Sequence, residues 1–179
     1  MDALKCGLGL ISALALCWAP AAGADTGVAT AVKATYLVKF AQYVAWPPST
    51  FANPSAPINL CIVGRDPFGS GIDQAAKGER VDRHPIVVRR MASIDRNSPC
   101  HIAFVAGAVA AKALPAVEGA PILTVTDLSE TRLHGLMQFD LRGGHIGFQI
   151  DDVAARRAGL DISSRLLAIA FSLTSRPAQ

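Results

Sequence analysis

The residues best equipped for chemistry in this 179-residue chain are four histidines, four cysteines and a few short motifs. His84, His101, His134 and His145 have neither helical i, i+4 nor His-x-His spacing to another ligand type, so no metal centre is expected from them. Cys100-His101 joins a thiol to an imidazole, but neighbours on a strand point to opposite faces and cannot act locally as nucleophile and base. Phe68-Gly69-Ser70-Gly71 is only superficially like a Gly-x-Ser-x-Gly elbow. Gly64-Arg65-Asp66-Pro67-Phe68-Gly69 lacks the glycine spacing of a phosphate-binding loop. Asp151-Asp152 suits a helix cap better than a pair of catalytic carboxylates. The residues alone do not point to an enzyme, and no catalytic residue, metal ligand or cofactor is assigned.

Charge narrows the class further. The formal net charge is +3, and the arginines at 65, 80, 83, 89, 90 and 96 are interleaved with Asp66, Asp73, Glu79, Asp82 and Asp95. A nucleic-acid footprint needs a like-signed cluster beside aromatics or a known module, so nucleic acid is excluded as a partner.

The elements that must position these residues are organised around Pro57-Ile58-Asn59-Leu60-Cys61-Ile62-Val63-Gly64, a run with one strongly polar residue inside it. Such a run reads as a strand covered on both faces. Before it, Val32 to Trp46 has helical spacing, with Val32, Tyr36, Phe40 and Val44 on one stripe and Trp46-Pro47-Pro48 as the stop. After it come a short helix at 67–76, a turn at 77–80, a strand at 85–90 and a polar loop at 91–99. A strand at 100–105, an alanine-rich helix at 108–117 interrupted by Pro115, and a strand at 121–126 follow. Residues 136–141 and 145–150 alternate around Arg142-Gly143-Gly144, as in a β-hairpin. Asp151 or Asp152 can cap the next helix, Gly159 breaks it, and Ser163 to Leu173 reads as a last helix burying Leu166, Leu167, Ile169, Ala170 and Leu173. The pattern predicts a single layered α/β domain: a mostly parallel sheet flanked by helices, with a C-terminal antiparallel hairpin.

Residues 1–24 read as a cleaved signal peptide: Lys5 supplies the charge, Leu8 to Trp18 the apolar core, and Ala22-Gly23-Ala24 the cleavage site. The apolar run is well short of the ~20 residues a spanning helix needs. Cleavage would leave residues 25–179, with Cys61 and Cys100 as the remaining cysteines. Two cysteines in an exported chain suggest a disulfide, and two buried free thiols are the alternative.

Several stretches resemble the YfiR family. They are Tyr36-Leu37-Val38-Lys39-Phe40-Ala41-Gln42-Tyr43-Val44-Ala45-Trp46-Pro47, Leu60-Cys61-Ile62-Val63-Gly64 with Asp66-Pro67-Phe68, and Cys100-His101-Ile102-Ala103-Phe104-Val105. Leu123-Thr124-Val125-Thr126-Asp127, Ile146-Gly147-Phe148-Gln149-Ile150-Asp151 and Gly159 to Leu167 complete the match, which runs from about 34 to 170. The resemblance implies a small periplasmic protein that represses an inner-membrane diguanylate cyclase by binding its periplasmic sensor domain, lowering cyclic di-GMP and biofilm formation. It also implies a homodimer, a Cys61–Cys100 bridge, and a peptidoglycan-associated outer-membrane lipoprotein as a competing partner. The second cysteine pair that some members carry in the C-terminal half is absent here. Aromatic and arginine residues dominate interface hot spots, so Tyr43 and Trp46 after the first helix and Arg156 and Arg157 beside the last are the candidate partner contacts. A periplasmic small-molecule-binding protein with a different signalling output is the alternative.

Overall fold

The computed structural model describes residues 24–174, so the predicted signal peptide lies almost wholly outside the described residues. The chain runs through α1 (Ala24–Phe40), a 3-10 turn (Ala41–Tyr43), β1 (Val44–Ala45) and a second 3-10 turn (Pro48–Thr50). β2 (Ile58–Gly64), α2 (Ser70–Ala76), β3 (Arg80–Val81), β4 (His84–Met91) and β5 (Ile102–Ala106) come next. A third 3-10 turn (Gly107–Val109) leads into α3 (Ala110–Ala116), β6 (Leu123–Asp127), β7 (Met137–Arg142) and β8 (His145–Asp151). The described chain ends with α4 (Asp152–Arg157), β9 (Asp161–Ile162), α5 (Ser164–Leu167) and β10 (Ser172–Thr174).

Eight strands form one sheet in the order β10-β8-β7-β6-β5-β2-β4-β3, while β1 and β9 pair antiparallel as a separate ribbon. From β4 to β7 every neighbouring pair is parallel. Their order, with the first strand between the second and third, is one of the two common doubly wound arrangements. The β7–β8 pair is antiparallel, and Gly143 and Gly144 at its tip both have positive φ, as a two-residue primed turn requires. The expected α/β class, mostly parallel sheet and C-terminal hairpin are all present.

The central position of β2 follows from its composition. All six residues from Ile58 to Val63 are buried, so both faces of this strand are covered. Leu60 and Ile62 join Phe104, Val125, Phe139 and Phe148 on the face covered by α1 and α2. Cys61 and Val63 join Ala103 and Val105 on the other face, beneath Ala110 and Ala113 of α3. Phe40 of α1 anchors the first layer, with its ring 5.1 Å from Phe148 and 5.8 Å from Phe139.

Four sequence expectations are corrected. The first helix stops at Phe40 rather than Trp46, because Val44 and Ala45 are drawn into pairing with Ile162 and Asp161. Val32 does not lead its buried stripe: it and Val28 are exposed, while Ala34, Leu37, Val38 and Ala41 are buried. The expected turn at 77–80 is followed by β3, which pairs antiparallel with β4 through a tight turn where Asp82 has φ +51°. The last helical run ends at Leu167. Beyond it Phe171 N–H donates to the Phe148 carbonyl and β10 lies parallel to β8, leaving Ile169 and Leu173 exposed instead of buried.

The connections differ in one respect that shapes the surface. The β2–β4 and β5–β6 connections contain α2 and α3, but residues 128–136 join β6 to β7 with no helix at all. This short loop is tied to the sheet by polar side chains instead. Thr126 Oγ1 accepts from Gly135 N–H, Thr124 Oγ1 accepts from Leu136 N–H, and Gln138 Nε2 donates to the Leu133 carbonyl. Gly135 is needed there, since a Cβ would lie 2.7 Å from the Thr124 carbonyl oxygen.

Candidate functional site

One cluster of polar and aromatic side chains lies toward the N-terminal ends of β2, β4 and β5. Cys61 on β2 and Cys100 just before β5 form a disulfide, with Cα atoms 5.8 Å apart. Both sulfur-bearing residues are buried, so the bridge staples two neighbouring strands beneath the α3 layer. The next residue, His101, faces the opposite way and completes a stack of rings from four segments. Phe51 lies between His84 and His101, at 4.2 Å and 4.6 Å between centroids, and Trp46 meets the His101 ring edge-on at 5.9 Å.

His101 is 5% exposed, and its Nδ1 accepts a 3.1 Å hydrogen bond from Asn59 N–H. Burial, reinforced by the nearby His84, pushes its pKa down to about 4, with the Thr50 backbone pulling weakly the other way. The imidazole is thus neutral at ordinary pH, and its acceptor nitrogen satisfies a backbone N–H at the start of β2. Neither it nor Cys100, now in a disulfide, offers a nucleophile. Among the described residues no three His, Cys, Asp or Glu side chains come together in a way that could hold a metal ion. Asp151 caps α4 by accepting from Ala154 N–H, and Asp152 accepts from Arg156 Nε at 2.9 Å through Oδ2, while its Oδ1 is buried without a partner among the described residues.

The β1–β9 ribbon links the two segments that carry the expected contact residues. Tyr43 precedes β1 and its carbonyl accepts from Ser163 N–H just after β9, while α4, bearing Arg156 and Arg157, leads into β9. Tyr43 is half-buried, and both arginines are exposed. Trp46 differs: it is 9% exposed, and its indole Nε1 donates to the His101 carbonyl at 3.1 Å. Its place is in the core, holding the residue after β1 against the start of β5, so it presents little surface of its own.

Two features here escape sequence reading. Arg90 on β4 donates to Asp66 and Asp73 at 2.7 Å each, which ties the loop before α2 and the helix itself to the sheet. That partnership holds the Asp73 carboxyl below its usual range. The other feature is a cavity of about 770 Å³ between α3, the β6–β7 loop and α4. Its walls come from residues far apart in sequence, so no local pattern marks it.

Among the described residues no helix is long and apolar enough to cross a membrane. A sequence model described as YfiR/HmsC-like matches residues 30–171. No curated protein matches the chain.

Proposed function

The chain belongs to the YfiR/HmsC-like family, and from that premise we propose that it is a periplasmic negative regulator of a membrane diguanylate cyclase. In this reading it binds the cyclase's periplasmic sensor domain and lowers cyclic di-GMP output, with no chemistry of its own. The observation that carries the proposal is the extent of the family match, residues 30–171, which takes in nearly all of the described fold. The buried Cys61–Cys100 bridge supports an oxidising compartment, where such bridges persist.

Repression then works by population shift. A regulator silences a sensor only by binding its inactive arrangement more tightly than its active one. Moving a cyclase from mostly on to mostly off takes a differential affinity of about 5 kcal/mol. The contact surface we assign is the outside of the β1–β9 ribbon and α4, where Arg156 and Arg157 are exposed and Tyr43 is half-buried, with Trp46 in the core at the ribbon's exit. Apolar aromatic area and arginine forks are the usual carriers of interface energy. A homodimer and a competing peptidoglycan-associated outer-membrane lipoprotein belong to the same reading.

The test is deletion of the gene in its own host, with cyclic di-GMP and surface attachment measured. Both should rise, should return to baseline with an exported copy, and should stay low when the cyclase is also deleted. A Tyr43→Ala, Arg156→Glu double variant that remains folded should fail to restore repression. Unchanged cyclic di-GMP across several growth conditions would overturn the proposal.

A further inference from the structure

The cavity between α3 and α4 has the composition of a ligand site. In a doubly wound sheet a helix ordinarily covers each parallel crossover, but the β6–β7 connection has none. The space beside α3 is therefore bordered by the loop at 133–136, the end of α4, the 117–122 segment and Arg96. What remains is about 770 Å³, within the range of small-molecule pockets. Val117, Ile122, Leu136 and Ala154 supply an apolar lining.

Three cationic or polar nitrogen-bearing groups from three separate segments line this cavity: Arg96 after β4, His134 in the β6–β7 loop and Arg157 on α4. Arg96 already donates to the Glu118 carbonyl, which fixes its guanidinium at the cavity. The Arg157 side chain has no hydrogen bond or ion pair among the described residues, unlike its neighbour Arg156, which is paired with Asp152. Of the two carboxylates on the wall, Asp151 is engaged in capping α4, and Glu118 is exposed and forms no ion pair among the described residues. An apolar floor with an uncommitted guanidinium at its edge favours one class of occupant, because Arg recognises carboxylate and sulfonate oxygens through paired N–H donors.

We propose that this cavity binds a small amphipathic monoanion, its apolar body on the Val117–Ile122–Leu136 floor and its acid group on Arg157, with Arg96 alongside. The inference is independent of the regulatory reading, since it concerns the purified protein without a cyclase. The site lies on the α4 face that also presents Arg157 outward, so an occupant would compete for one of the residues assigned above to partner contact.

The probe is 8-anilinonaphthalene-1-sulfonate titrated into folded, oxidised protein, with decanoate as competitor. Saturable binding at one site per chain, displaced by decanoate but not by decyltrimethylammonium, is expected. Arg157→Gln should weaken the probe about tenfold, the order of one lost charge-assisted pair. Ala154→Trp, which fills the floor, should abolish binding, and thermal melting should show both variants folded. Amide shifts caused by decanoate should centre on residues 117–122, 133–136 and 154–158. Absence of saturable binding, equal competition by the cation, or unchanged affinity in Arg157→Gln and Ala154→Trp would each overturn the proposal.

Discussion

His101 shows how one residue's surroundings set a property that its type alone does not. Its folded pKa is about 4, against 6.5 for an ordinary imidazole. Between those values the unfolded chain binds a proton that the folded chain refuses, so stability is complete above pH 6.5 and is lost as the pH falls toward 4. At 1.36 kcal/mol per unit the loss is about 3 kcal/mol. Urea unfolding at pH 7 and pH 4.5 should show most of that loss in the native sequence and a flatter dependence in His101→Gln. Parallel declines in the two proteins would mean that other groups carry the acid sensitivity. The neighbouring Asn59 sharpens the point, since its N–H already occupies Nδ1 and its side-chain oxygen accepts from Arg89 at 2.9 Å.

Element boundaries are where local signals compete with partners. Gly64 ends β2 with φ +82°, and a Cβ there would sit 2.4 Å from Val109 Cγ1 and 2.7 Å from the Ala106 carbonyl. Gly143 in the hairpin also has positive φ, but open space surrounds it. Gly64→Ala should therefore cost roughly 2 kcal/mol or more by chemical denaturation, and Gly143→Ala about 1 kcal/mol, because strain at Gly143 is not compounded by a clash. Equal costs would mean that the Gly107–Val109 turn packed against Gly64 yields more easily than its packing implies. The sequence made β2, the hairpin and α4's cap legible because each carries its signal within a few residues. It did not reveal β1, β9 or β10, short strands whose extended shape is imposed by distant partners: Ile162 for Val44, and Gln149 for Ser172. Phe171 is a further case. It packs over Gly147, where a Cβ would lie 2.3 Å from its ring, and Arg142 stands 5.2 Å above that ring. Candidate site residues divide the same way. Cysteine pairing was readable from count and context, whereas the α3–α4 cavity is assembled from residues 96 to 158 and leaves no trace at any one of them.

At the scale of the molecule, the disulfide joins the strand at the centre of the sheet to the start of its neighbour across 39 residues. In the chain-entropy account a loop of that size is worth about 4 kcal/mol. Reduction, or a Cys61→Ala, Cys100→Ala double variant, should lower the melting temperature while far-ultraviolet dichroism stays native below it, because both apolar layers survive. Unfolding at room temperature on reduction alone would show that the layers cannot hold without the staple. The same bridge bears on how the protein is made. The mature region expected from the sequence has two cysteines, so one intramolecular pairing exists and no shuffling between wrong partners is available to it. Cys61 must wait for the residues of β3 and β4 to emerge before Cys100 follows, and by then the strand beside β2 can already be in place. Oxidative folding should accordingly require an oxidant and no isomerase, proceeding in a single covalent step.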